Sequence, residues 1–324
     1  MKPDGGDPLG GHDDTDRVGG RDDTDRVGGR DDTDRVGGRD DIERAHLKDP
    51  HDASHTIHRY PAASDLTDLM QRYWIPVWSV PAGREAPQRV LRYPVCQLVV
   101  AHDYARFYGV EHGLSTVTLT GEGWAVGSML SPAAGALITG TSLAAFTDRA
   151  IDLTDVLGDA GARLITRVRE AMAHSPDSRE SHRAATEAFD DVLRAHLPID
   201  EEGRLVNRVV AFVEENSDVL RVEQVRAEFG LGERALQRLV QRRIGLTPKW
   251  LIQRRRLQEA AGRLREKPGS LSEVAAVLGY ADQPHFVRDF ARVMGMTPGA
   301  FAARYGVDDR PCPTGPSDSG GCTT

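Results

Sequence analysis

Cysteine is scarce in this chain of 324 residues: Cys96, Cys312 and Cys322 are the only three, and no two form a C-x-x-C pair. An odd, widely spaced set argues against a disulfide framework and a structural zinc site, so reduced thiols are expected. Long apolar runs are missing too. No stretch of eighteen consecutive apolar residues occurs, which excludes a membrane-spanning helix, and the acidic, glycine-rich start is unlike a signal peptide. A cytoplasmic location is expected. No glycine-rich phosphate loop precedes a helix, and the residues imply no cofactor.

What is present begins with a repeat. Within GGRDDTDRVGGRDDTDRVGGRDD a nine-residue unit repeats and, with the residues before it, places Asp13, Asp22, Asp31 and Asp40 in register. Glycine-rich nonapeptides can coil into calcium-binding β-helices of pattern G-G-x-G-x-D-x-U-x. Here the fourth slot holds Asp22 and Asp31, and the eighth, which should fill the coil, holds Arg26 and Arg35. With one valine per unit there is almost no core to offset the entropy of ordering the glycines. A solvated, disordered tail is the better reading.

The net charge of −8 would ordinarily argue against nucleic acid as a partner. The average conceals an asymmetry: between Arg204 and Arg304 basic residues outnumber acidic ones by about seven, leaving about −15 for the remainder. The C-terminal third is a basic module on an acidic protein.

The texture along the chain gives an α+β fold class. After an acidic repeat tail (1–60), the runs YWIPVWSV, RVLRYPVCQLVVAH and STVTLTGEGWAVGSML read as short strands in a sheet or small, cupin-like barrel. DRAIDLTDVLGDAGARLITRVREAMA and SHRAATEAFDDVLRAHL then carry apolar residues at helical spacing. Together these make a mixed β-rich domain over 61–200, suited to sensing or dimerisation. An all-α region follows over 203–306, helical from near Leu205, and a disordered tail over 307–324 closes the chain.

The all-α region is itself a repeat. ALQRLVQRRIGLTP aligns with HFVRDFARVMGMTP fifty positions later, and EQVRAEFG with SEVAAVLG at an offset of forty-nine. In each copy a helix ends at glycine, a short turn follows and a second helix begins, which is a helix-turn-helix. The expected buried stripes are Val222, Val225 and Phe229 with Leu236, Leu239 and Val240, and, in the second copy, Val274, Val277 and Leu278 with Phe286, Phe290 and Val293.

Opposite those stripes lie the candidate reading faces. Arg234, Gln237, Arg238, Gln241 and Arg242 fall at i, i+3, i+4, i+7 and i+8; His285, Arg288, Asp289 and Arg292 keep the same spacing, with Gln283 at the start. Arginine pairs bidentately with guanine and glutamine with adenine in the major groove. One arginine-rich solvated face would be unremarkable; two matching copies point to DNA. Thr247 and Pro248 open a linking helix expected to reach about Glu266, some 28 Å long at 1.5 Å per residue. That approaches the ~34 Å between successive major grooves on one face of a duplex, so one chain can fill two grooves.

The stretches LQRLVQRRIGLTPKWLIQRRRLQEA and LGYADQPHFVRDFARVMGMTPGAF resemble the double helix-turn-helix module of AraC/XylS-type transcription regulators over about a hundred residues. The resemblance implies DNA-facing roles for Arg234, Gln237 and Arg238 in the first unit and for Gln283, Pro284, His285, Val287 and Arg288 in the second. Two departures stand out: Gly232 replaces a common capping serine, and Asp289 sits beside the bases, where it could accept from cytosine N4 or orient Arg292, orientation being the favoured reading. RYWIPVWSVP, GEGWAVGSMLSP and FTDRAIDLTDVLG resemble a sensor-like domain of unknown function found ahead of such modules in actinobacterial relatives. That implies an effector or dimerisation.

Competing readings are weaker. Cys96 lies near His102, Asp103, Glu111 and His112, but its apolar run PVCQLVVA marks a buried structural thiol. His102 and His112 lack a third metal ligand, and Trp74, Trp78 and Trp124 read as core. An architectural binder gripping phosphates alone remains the alternative, with a DNA-tethered enzyme behind it. The expected partners are double-stranded DNA, RNA polymerase, a small effector and a second copy of the chain.

Overall fold

The computed structural model describes residues 52–90, 93–266 and 270–306. The nonapeptide repeat and the expected C-terminal tail lie outside the described residues.

The N-terminal domain contains strands β1 (His55–Pro61), β2 (Met70–Ser79), β3 (Ala86–Val90), β4 (Gln97–Ala101), β5 (Ala105–Tyr108), β6 (Ser115–Leu119), β7 (Glu122–Leu130) and β8 (Ala150–Asp152). Six form one antiparallel sheet in the order β1-β2-β7-β4-β5-β8, while β3 and β6 pair with each other. β1 begins at His55, so the sheet reaches back into the segment expected to be tail: all of β1 but its last residue falls before position 61.

Alternation along β2 gives the sheet two buried faces. Tyr73 and Ile75 point to one side and join Leu98, Val100, Phe107 and Val126 in the main core. Trp78 points to the other, where Val80, Val99, Ala101, Leu119 and Ala125 pack with it. Trp78 and Trp124 are buried and Trp74 is half-buried, as expected of core residues. Cys96 is also buried, and burial pushes its thiol up to about 12, the state of a structural rather than a nucleophilic cysteine.

After β7 come α1 (Ala134–Thr139), a 3-10 turn (Leu143–Ala145), then α2 (Leu153–Leu157), α3 (Asp159–Met172) and α4 (Arg179–Arg194). The stretch DRAIDLTDVLG, expected to be helical throughout, instead supplies strand β8 and then α2, and Gly158 separates α2 from α3. Leu164, Val168 and Met172 on α3 and Ala185, Phe189 and Leu193 on α4 recur every four residues and form the buried faces of the two helices. Tyr73 donates a hydrogen bond to Asp190 Oδ1 at 2.7 Å, which ties β2 to α4.

The remainder is helical: α5 (Glu201–Glu215), α6 (Val222–Phe229), α7 (Glu233–Arg243), α8 (Pro248–Glu266), α9 (Leu271–Val277), α10 (Gln283–Met294) and α11 (Pro298–Tyr305). α5 starts four residues before Leu205 because Asp200 caps it, accepting from Gly203 N at 2.7 Å. The expected stripe of the first unit is in place: Val225, Leu236, Leu239 and Val240 are buried, with Val222 and Phe229 packed against them. In the second unit Val277 departs from expectation. It is 58% exposed, because Val274, Ala275 and Leu278 carry the buried face and turn it outward.

Two cores result. The main one runs without a break from the sheet through α3 and α4 into Val206 and Val210 of α5, Val225 of α6, Leu236 and Val240 of α7, and Leu251 and Ile252 of α8. A separate core gathers Leu257, Ala261 and Leu264 of α8 around Phe286, Phe290 and Phe301. The boundary expected near residue 200 is therefore a boundary along the chain and not in the packing.

Candidate nucleic-acid interface

α7 and α10 are the second helices of the two repeated units. Gly232 precedes α7 without a side-chain cap, whereas Asp282 caps α10 by accepting from His285 N at 2.7 Å, with Pro284 in the first turn. Each helix is amphipathic: its apolar stripe enters a core, and the opposite face is left to solvent.

On α7 the structure divides the five predicted residues. Arg234, Gln237 and Arg238 are exposed and make no hydrogen bond or ion pair among the described residues. Gln241 and Arg242, one turn further on, are engaged within the chain. The Gln241 amide donates to Gly245 O at 3.1 Å, and Arg242 pairs with Glu202. Beside them Arg243, 5% exposed, donates to Glu202 Oε2 at 2.9 Å and also pairs with Asp200. Burial alone would raise the Asp200 carboxyl, but the bonds from Arg243 and Gly203 outweigh it and hold it below the usual carboxylate range. The acidic first turn of α5 thus meets the basic last turn of α7, each charge also favoured by its own helix dipole.

On α10, Gln283, Pro284, His285 and Arg288 are exposed, and Val287 leans on the second core. Gln283 Oε1 accepts from Ser272 Oγ at 2.7 Å, which fixes the start of α10 to α9. The His285 ring stands edge-on to Tyr280 with centroids 5.2 Å apart. Asp289 accepts from Gln253 Nε2 at 2.7 Å and from Arg292 at 2.8 Å, and lies 3.6 Å from His285 Nε2. With both oxygens taken, it holds Arg292 and the linking helix in place, the orienting task expected of it. Arg256 of α8 stacks 3.9 Å from the centre of the Tyr280 ring, and burial pushes that phenol up to about 12.

The N-terminal domain abuts the C-terminal end of α7. Thr147 Oγ1 donates to Gly245 O at 3.0 Å, and the Gly245 backbone lies so near Leu143 that a β-carbon there would stand 2.8 Å from the Leu143 carbonyl oxygen. His112, on the connection between β5 and β6, bonds Asp148 through both its backbone N (2.8 Å) and Nδ1 (2.6 Å), and its ring meets Trp250 edge-on at 6.1 Å. Leu114, two residues on, packs against the second core. His102 instead lies against Trp78 and Trp124, so the two histidines weighed as a metal pair do different work.

Sequence reasoning missed Arg204 and Arg208, which line a groove beside α7. Their four-residue spacing was the available signal, obscured because the helix was expected to start near Leu205.

Two amphipathic helices, α7 and α10, joined through the nineteen-residue α8 and each preceded by a shorter helix and a tight turn, define the C-terminal third as a double helix-turn-helix module. A helix-turn-helix domain family matches residues 226–304, and a domain of unknown function (DUF6597) matches residues 58–152. Among curated proteins, the HTH-type transcriptional activator RhaS of Escherichia coli O1:K1 is 24% identical over 147 residues, covering 42% of this chain and 53% of that protein. RhaS of Escherichia fergusonii is 32% identical over 94 residues, covering 29% and 34%. The chain thus spans about half, or less, of the length of these relatives, all of them transcriptional regulators. Among solved structures, a probable AraC family transcriptional regulator from Rhodopseudomonas palustris aligns at TM-score 0.30 and 26% identity, over 32% of this chain and 99% of that one. ToxT from Vibrio cholerae aligns at TM-score 0.35 and 12% identity, over 78% and 97%. No helix among the described residues is long and apolar enough to cross a membrane.

Proposed function

We propose that this chain is a sequence-specific, DNA-binding transcriptional regulator that lays α7 and α10 into successive major grooves of one duplex. The observation that carries the reading is the pair of solvent-facing sets, Arg234, Gln237 and Arg238 on α7 and Gln283, His285 and Arg288 on α10, at the two ends of the nineteen-residue helix α8. Arg238 and Arg288 are the base readers, because both are exposed and a guanidinium pairs bidentately with guanine in the major groove. Gln241, Arg242 and Arg292 stand one turn behind as further DNA contacts, with Arg242 also tying α7 to α5 through Glu202. In a binding-site selection from randomised duplexes, Arg238→Ala and Arg288→Ala are each expected to relax preference at separate positions and to weaken the selected site by about 1–3 kcal/mol. Unchanged selections from both variants would refute the assignment.

The N-terminal domain gates this binding, through an effector or through dimerisation. The support is its unbroken core with the first unit and the Thr147–Gly245 contact at the end of α7. The deciding measurement is DNA affinity in the full chain when this junction is loosened. An affinity untouched by Gly245→Ala removes the gate.

A further inference from the structure

Between α5 and α7 lies an open groove of about 970 Å³, lined by Arg204, Leu205 and Arg208 from α5 and by Arg238 and Arg242 from α7, with Ser142 of the N-terminal domain on its wall. Resting on the DNA reading above, we propose that this groove is a phosphodiester-binding channel. In it Arg208, flanked by Arg204, grips the backbone strand at the edge of the major groove that α7 reads.

Charge accounting within the groove favours an anion. Glu202 is committed to Arg242 and Arg243, which leaves Glu201 against Arg204, Arg208 and Arg238. Arg208 is exposed and has no hydrogen-bond or ion-pair partner among the described residues. Arg204 donates through Nη1 to Ile199 O at 2.7 Å, so its guanidinium is held in place by one donor while others of its five remain open. A planar guanidinium fork matches the oxygens of a phosphate. The leucine and alanine side chains on the groove floor, Leu205, Leu239 and Ala235, lower the local dielectric and strengthen the pairing.

Position favours a backbone strand over a base edge. A helix seated in a major groove ~12 Å wide has a phosphate strand along each flank. Arg204 and Arg208 stand on the neighbouring helix, to the side of the reading face of α7 and not on it. Contacts of this kind set register and affinity and carry no sequence information themselves.

The test uses the full chain and two duplexes, a selected site and one of mixed sequence, each about three helical turns long. Affinity is followed by anisotropy between about 50 and about 200 mM salt; each phosphate contact contributes about 0.9 to the log–log slope, so Arg208→Gln should shrink the affinity ratio across that range about threefold on both duplexes alike. Arg208→Lys, which keeps the charge, should restore most of the slope, and Arg204→Gln should act in the same direction. Far-ultraviolet circular dichroism checks that each variant folds. An unchanged slope in Arg208→Gln overturns the channel, and so does a loss confined to the selected site, since Arg208 would then be reading a base. Should the wild-type chain show no preference between the duplexes, the regulator reading fails, while the slope on mixed sequence still decides the channel.

Discussion

The two helix-turn-helix units descend from one pattern and are mounted differently. The first shares a core with the N-terminal domain, and its second helix, α7, is clamped at the C-terminal end by Asp200, Glu202 and the Thr147–Gly245 bond. The second has its own aromatic core of Phe286, Phe290 and Phe301, stacked edge to face, and touches the N-terminal domain through Leu114. Equivalent helices are therefore held by different forces. The first unit is braced from outside, and the second is braced by its own side chains and cap.

The largest expected break in this comparison is Phe290→Ala. Phe290 is fully buried in the second core, and deleting a buried phenyl group costs about 3–5 kcal/mol. Amide exchange should show protection lost across α9 to α11 and kept in the sheet and α7. Uniform loss throughout the chain would show that the two cores do not behave separately.

The equivalent glycines of the two turns come next. Gly245 has φ +89° and Gly295 φ +67°, so alanine is strained at both. At Gly295 an added β-carbon meets nothing within 4 Å, whereas at Gly245 it runs into Thr147 and the Leu143 backbone. Gly245→Ala should cost about 1–3 kcal/mol more than Gly295→Ala in denaturant titrations, the usual penalty of overpacking. Equal losses would mean that the junction yields freely.

Acid should distinguish the units by a smaller amount. The Asp200 carboxyl is depressed in the folded chain, so its contribution to stability is complete above its unfolded value, near pH 4, and disappears as pH falls through the folded value. Its side chain is half exposed, which limits the effect to about 1 kcal/mol. The first unit should loosen in that window, and Asp200→Asn should remove the pH dependence while lowering stability at neutral pH. Exchange protection of α7 measured against pH checks it.

The caps differ least. Asp282→Ala should cost ~0.5–1 kcal/mol through the loss of its bond to His285 N, while Gly232→Ser should add a few tenths. Gly232 has φ −66° and open space around it, so serine fits without strain. Thermal melts of both variants measure the contrast.

Much of this arrangement was legible in the residues. The fifty-residue repeat located both units, Thr247 and Pro248 marked the start of α8, and Asp289 beside Arg292 announced a positioning carboxylate. What escaped depended on tertiary contact. Val277 has the spacing of a core residue, but a seven-residue helix has only one narrow buried face, and Ala275 takes the place expected of it. β8 hides in a helix-like pattern because its three residues are strand only by pairing with β5. The split of the α7 face into open and engaged residues could not be read from periodicity, since Glu202 reaches it from α5 and the chain turns back at Gly245 onto Gln241.

α8 begins in one core, at Leu251 and Ile252, and ends in the other, at Leu257 through Leu264. Its length is for that reason an angular setting as well as a distance. One residue more between the two anchorages would turn the second unit by about 100° around the helix axis and carry it only ~1.5 Å along it. A duplex has its own helical phase, so under the proposed function the count of residues in this connector would set the relative rotation of the two helices against it.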